Sequence, residues 1–243
     1  MNLLLLDPDE VGADGRATLT GRRAVHLRQV LRVEVGRSLQ AGILDGPIGT
    51  AEVVALDGDA VQVRVDCRTP PPPARDVLLL AVPRPKVLLR VLEYAAALGF
   101  AELVLFRSWR VDKSWLDSSA LRPDVVDLHL RLGLEQARRT ARPRLQLFRR
   151  FRPFVEDVLP HLPLPAHRFC AHPTAAVPTH ALAPGRGAPF AVALGPEGGF
   201  LPYEVARLAD AGFLPVRLSG HPLRTEAALC ALHAQLDLLR SPQ

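Results

Sequence analysis

The sequence predicts an α/β protein in two parts: a small β-rich module, then a larger α/β domain built on a largely parallel sheet. Three observations carry this. Downstream of residue 75, apolar runs of strand length alternate with segments of helical periodicity. Upstream, short β-rich pieces are separated by DG turns. Between the two lies TPPPPAR, from Thr69 to Arg75, whose prolines lack a donor and fix φ, as a stiff linker requires. The boundaries expected are 1–69, 70–75 and 76–243, and 48% hydrophobic residues in a chain of 243 suffice for a real core.

In the first part, RRAVHLRQVLRV is the expected helix, and RSLQAGILDG, GTAEVVALDGD and AVQVRVDC are strands of a small antiparallel sheet or barrel. In the second, VLLLAV, ELVLF, LQLF, HRFCAH, FAVALG and PVRLS read as buried strands of a parallel sheet. Four segments have helical periodicity: KVLLRVLEYAAALG, VVDLHLRLGLEQARR, YEVARLADAG and TEAALCALHAQLDLL. Gly99 and Gly212 stand where glycine ends a helix, and Pro202 suits a first turn.

Several function classes fall away. No apolar stretch approaches membrane-spanning length, and MNLLLLDPDE has neither a basic n-region nor a cleavage site, so a cytoplasmic protein is expected. Cys67, Cys170 and Cys230 are odd in number and widely spaced, which indicates buried reduced thiols rather than disulfides or zinc ligands. There is no GxxxxGK[ST] loop, GxGxxG turn, HExxH helix or GxSxG elbow. DPDEVG superficially matches a calcium loop, but Thr18 stands where the bidentate acid belongs. No metal is expected.

The net charge is +5, carried almost wholly by arginine, with lysine only at Lys86 and Lys113. RRTARPRLQLFRRFR, Arg138 to Arg152, holds seven arginines and no acid, and GRRAVHLRQVLR adds a second basic cluster. Guanidinium groups suit phosphate, although genome composition alone can produce such an excess.

Near the C-terminus, FAVALGPEGGFLPYEV and PVRLSGHPLRTEAALCALHAQL each run from an apolar strand through a small-residue turn into a helix. Ligands of open α/β sheets lie outside the carboxyl ends of strands, so both turns should meet at one crevice. Thr225 and Glu226 suit the last helix as cap and first-turn acid. Arg224 opposes the helix dipole there, which implies that it is held for an anion or a developing negative charge.

GPEGGF after a strand, followed by LSGHPLRTEAA, resembles the 16S ribosomal RNA uracil-N3 methyltransferases of the SPOUT superfamily. The resemblance extends through PRPKVLLRVLEYAAALGFAELVLFRSWR, LEQARRTARPRLQLF and HLRQVLRVEVGRSLQAGILDG, nearly the whole chain. It implies a PUA-like RNA-binding β-barrel joined to a SPOUT-type α/β domain with a trefoil knot. It also implies S-adenosylmethionine held in a bent shape, a homodimer, and methylation of N3 of a uridine in the decoding region of 16S ribosomal RNA, as free RNA or in the small subunit. Ser219, Pro222 and Ala227 depart from the family's usual residues, and Trp109 stands where the family's SER turn has an acid.

On that basis Leu194, Gly195, Pro196, Glu197, Gly198, Gly199, Leu218, Ser219, Leu223 and Thr225 are the expected cofactor-binding residues. Glu197 either meets the cofactor or pins the turn through backbone N–H groups. Arg224 is the expected catalytic residue, stabilising charge on the uracil oxygens or fixing a phosphate. Arg22, Arg28, Lys86 and Arg139 are candidate RNA contacts, against a reading as solvated surface. Two alternatives stand beside this: a SPOUT enzyme for another RNA nucleotide, and a noncatalytic RNA-binding assembly factor.

Overall fold

The computed structural model of the protein describes residues 2–241. It divides into two compact units, Met1–Pro73 with Arg131–Arg142, and Ala74–Leu130 with Pro143–Gln243.

The first unit is a five-stranded sheet of β1 (Leu4–Leu6), β2 (Arg16–Leu19), β3 (Ser38–Ile43), β4 (Ile48–Asp57) and β5 (Ala60–Thr69) in the order β1-β3-β4-β5-β2. The three DG-punctuated segments are β3, β4 and β5, paired antiparallel. The sheet is nevertheless mixed, because β1 lies parallel to β3. Sequence pattern misses β1 because its leucines do not alternate: all three are buried. It misses β2 because four residues are too few to show a period, although Ala17 and Leu19 turn inward opposite Val63 and Val61. The core of this unit gathers Leu4, Leu6, Leu19, Val53, Val61 and Val63.

Helix α1 (Gly21–Val25) continues as a π-helical turn over His26–Val30 and stops short of the expected end at Val33. Arg32, with φ of 48°, turns the chain away. The segment 131–142 is fastened to this unit by charge. Arg131 forks onto Asp7 at 2.7 and 3.1 Å, and Arg22 forks onto the buried Glu135 at 2.6 and 3.1 Å. The Thr140 hydroxyl donates to the Gly46 carbonyl at 2.6 Å. Bidentate arginine–carboxylate pairs give both orientation and energy.

The second unit is a seven-stranded, all-parallel sheet. Its strands are β6 (Asp76–Ala81), β7 (Phe100–Phe106), β8 (Arg144–Phe148), β9 (His167–Ala171), β10 (Val177–Pro178), β11 (Phe190–Leu194) and β12 (Leu214–Arg217). The order is β10-β12-β9-β11-β6-β7-β8. DVLLLA and FAVAL are central strands buried along their whole length, which explains their unbroken apolar character. The two-residue edge strand β10 carries no sequence signal.

Helices α2 (Pro85–Leu98), α3 (Pro123–Ala137), α5 (Pro202–Asp210) and α6 (Thr225–Arg240) occupy the four periodic segments; α3 begins in the second unit and its last residues count with the first. Gly99 ends α2 in the left-handed region at φ 84°, and Gly212 follows α5 at φ 85°. Pro202 opens α5. A further helical stretch, α4 (Phe151–Pro153) continuing irregularly to His161, was not expected, since Pro153 and Pro160 interrupt any regular pattern. It is held by Phe154, stacked on Phe106 at 5.0 Å and Phe148 at 4.9 Å.

At the amino end of the sheet, the buried Asp76 accepts from the Phe190 amide at 3.0 Å and from Arg240 at 2.8 Å, anchoring the end of α6. Helix α6 also packs on α2, where Arg90 pairs with Glu226 at 3.2 Å. The cysteines are free thiols: Cys170 is buried, and burial pushes its thiol up to about 12, whereas Cys67 and Cys230 are only half-buried, not buried as expected. No helix among the described residues is long and apolar enough to cross a membrane.

Candidate functional site

The carboxyl ends of β9, β11 and β12 open into a cavity of about 320 Å³. Leu194 to Gly199 form one wall, and Leu218, Ser219, Leu223 and Thr225 form another, so all the cofactor-binding residues singled out from sequence line one space. The third wall comes from the end of β9: Ala171, His172 and Pro173. Sequence reasoning missed it by treating HRFCAH as a strand alone, although the proline after the strand marks a turn like the other two. His221, inside the second turn, also lines the cavity and was not singled out.

Each glycine of GPEGGF answers a different demand. A Cβ on Gly195 would sit 3.1 Å from the Phe200 nitrogen and 3.2 Å from Gly199 Cα, so the turn folds back on its own backbone there. The Gly199 amide closes that turn on the Pro196 carbonyl at 2.7 Å, and Gly199 has φ of 71°. A Cβ on Gly198 would lie 2.9 Å from Cδ of Arg110, whose guanidinium donates to the Gly198 carbonyl.

Glu197 is exposed, lines the cavity and accepts the backbone N–H of Arg84 at 3.1 Å. Arg84 is the residue capping α2, so Glu197 ties the turn to the start of that helix. A second carboxylate does the same for α5. Glu204, 2% exposed, accepts from the Leu201 amide at 2.8 Å and from the Trp109 amide at 2.7 Å. The loop after β7 is thereby fixed to the GPEGGF turn from two sides, through Glu204 and through Arg110.

The last helix starts differently from the expectation. Arg224, extended at φ −66° and ψ 152°, occupies the cap position without a side-chain cap bond, and Thr225 is the first helical residue. Thr225 is buried and faces the cavity rather than capping. Arg224 does not line the cavity; it is exposed between two residues that do.

None of the four candidate RNA contacts is among the residues that line the cavity. Arg22 is engaged with Glu135, and Arg139 donates to the Pro72 and Pro73 carbonyls at 3.4 and 3.0 Å. Arg28 reaches the Ala60 carbonyl at 3.4 Å. Lys86 is exposed in the first turn of α2.

A cavity at the carboxyl edge of a parallel sheet, walled by backbone turns, is where α/β proteins of this class bind their ligands. The family profile described as an RNA methyltransferase domain matches residues 70–237, and the chain belongs to that family. More particularly, it is 30% identical over 241 residues to ribosomal RNA small subunit methyltransferase E of Treponema pallidum, covering 95% of this chain and 88% of the relative. Ribosomal RNA small subunit methyltransferase E from Neisseria gonorrhoeae, solved bound to S-adenosyl methionine, shares the fold with a TM-score of 0.74 at 20% identity, over 98% of this chain and 96% of that one. A Legionella pneumophila protein solved with bound SAM superposes with a TM-score of 0.72 at 24% identity, over 98% and 96%.

Proposed function

We propose that the protein is a S-adenosylmethionine-dependent methyltransferase acting on N3 of a uridine in the decoding region of 16S ribosomal RNA. The observation that carries the reading is the convergence of the β9, β11 and β12 turns on one cavity. A space of about 320 Å³ suits a nucleoside-sized ligand, and its backbone-rich walls suit adenine, ribose and methionine recognition by amides and carbonyls of Leu194–Gly199 and Leu218–Leu223. When bound, the cofactor supplies an activated methyl group.

What the chain must add is orientation of the uracil and stabilisation of the negative charge that spreads over its carbonyl oxygens as the N3 proton leaves. We assign this role to Arg224: its exposure and its position in the chain between the cavity-lining Leu223 and Thr225 support contact with RNA rather than with the cofactor. The first unit is read as a PUA-like RNA-binding module spanning 1–69, with Arg28 as a phosphate contact. The α/β domain is read as knotted: β11 and β12 each insert between strands formed earlier or beside them, and α6 then returns onto α2. A cytoplasmic homodimer completes the reading.

Methyl transfer from labelled S-adenosylmethionine to small-subunit RNA and to assembled subunits, followed by nucleoside analysis, tests it. The expected product is 3-methyluridine. Label on another nucleotide would move the target within RNA methyltransferases, and cofactor binding without transfer to any RNA would overturn the activity.

A further inference from the structure

The loop after β7 holds a feature that cofactor binding does not use. Trp109 is 78% exposed, an unusual place for the largest amphipathic side chain. Its backbone, however, is firmly held: its own amide is bound by the buried Glu204, and its neighbour Arg110 is bound to the Gly198 carbonyl on the cavity wall. Trp109 does not line the cavity itself, but its indole projects to solvent from a backbone that Arg110 links to Gly198 of the cavity wall.

The surroundings distinguish a nucleobase from an apolar partner. Trp109 is flanked by the buried Ser108 and the exposed Arg110, with Arg107 and Lys113 close in sequence. Glu204 ties it to α5, whose exposed Tyr203 carries the Arg207 guanidinium 5.6 Å from its ring centre. Exposed aromatic rings interleaved with cations suit a single-stranded polyanion whose bases stack while its phosphates are neutralised. A contact between protein copies would instead need a contiguous apolar patch, whereas the exposed rings here have charged neighbours, Arg110 beside Trp109 and Arg207 over Tyr203.

We propose that Trp109 is a stacking platform for an RNA base adjoining the target uridine, an assignment that rests on the RNA-methyltransferase reading above. Stacking on an indole is worth a substantial factor in affinity for each base and is tolerant of sequence, so it would hold the strand while the neighbouring uridine enters the cavity.

The test uses the full chain with Trp115→Phe, leaving Trp109 as the sole indole reporter. Titration with a short single-stranded oligouridylate should quench its fluorescence saturably. With small-subunit RNA, Trp109→Ala should raise KM by about 5- to 150-fold, the span of base–aromatic stacking lost to alanine, with Trp109→Phe intermediate. Cofactor affinity and melting temperature should be unchanged, since only the Trp109 backbone makes the hydrogen bond to Glu204. An unaltered KM or absence of quenching overturns the proposal. So does a change in sedimentation mass for Trp109→Ala, which would assign the ring to a contact between copies. Failure of the wild-type chain to bind S-adenosylmethionine or methylate RNA would overturn the function itself, and the quenching titration separates that outcome from this one.

Discussion

Glu204 and Trp109 are joined by a 2.7 Å hydrogen bond from the tryptophan amide to a carboxylate that is 2% exposed. The other oxygen of the same carboxylate takes the Leu201 amide at 2.8 Å, in the first turn of α5, where negative charge also complements the helix dipole. The loop that follows β7 is thus fastened by a carboxylate of α5. Glu204→Gln retains the side-chain shape but replaces one acceptor by a donor facing a backbone N–H. It should lower stability by about 1–3 kcal/mol, the cost of leaving a buried polar group unpaired. Urea unfolding checks the stability, and calorimetric titration with S-adenosylmethionine should show weakened binding as the turn loosens.

Gly199→Ala and Gly195→Ala should fail for separate reasons. The first forces a side chain into the left-handed region, costing about 1–2 kcal/mol. The second sets a methyl 3.1 Å from the Phe200 nitrogen and 3.2 Å from the Gly199 backbone, tight contacts with main-chain atoms of the turn, which must shift to admit it. Cofactor affinity should therefore fall more in Gly195→Ala than in Gly199→Ala, although both variants remain folded by circular dichroism.

A pH dependence follows from the first unit. The Arg23 guanidinium, forked onto Glu10, holds that carboxyl below its usual range, with the Asp7 amide adding a hydrogen bond at 2.8 Å. A carboxylate with a depressed folded value contributes stability that is fully present above its ordinary value near 4.5 and is lost as pH falls through the lower folded value. Glu10→Gln should accordingly be less stable than wild type at pH 7, with the difference shrinking on acidification below about pH 4.5. Chemical denaturation of both proteins from pH 7 down to the acid limb measures it.

The legible parts of the molecule were those written in periodicity and turn chemistry. Unbroken apolar runs identified β6 and β11, and the four helices of the α/β domain were visible from their spacing, with Gly99 and Pro202 marking ends. The cavity was legible through its two glycine- and proline-rich turns, but the third wall at His172 and Pro173 was not, because the His-Pro that follows β9 carries no glycine signal. Least legible was the use of charge. Arg22 lies within a basic cluster in sequence, yet it is forked onto Glu135, 113 residues away. The segment 131–142 joins the first unit through such pairs, so removing residues 1–68 would strip the buried Glu135 of its arginine. Arg28→Ala, which removes a guanidinium held by a long 3.4 Å hydrogen bond to the Ala60 carbonyl, is a cleaner probe of RNA binding.

Arg224 provides the most direct test of the reaction. It caps α6 with its backbone, and the Ala228 amide bonds to its carbonyl at 2.8 Å, so the fold uses the main chain while the side chain is exposed. An alanine at this position keeps that carbonyl and removes a cation from the positive end of a helix, where it opposes the dipole. Arg224→Ala should therefore be as stable as wild type or slightly more so. Its methyl transfer should fall by about 100- to 1,000-fold, the usual penalty for losing one donor that stabilises developing charge. Arg224→Lys separates charge from geometry: a point charge that restores most of the rate indicates simple electrostatic stabilisation, whereas continued inactivity indicates that the planar fork orients the target nucleotide. Single-turnover assays with S-adenosylmethionine affinity measured in parallel distinguish both from a binding defect, because a residue outside the cavity lining should leave that affinity unchanged.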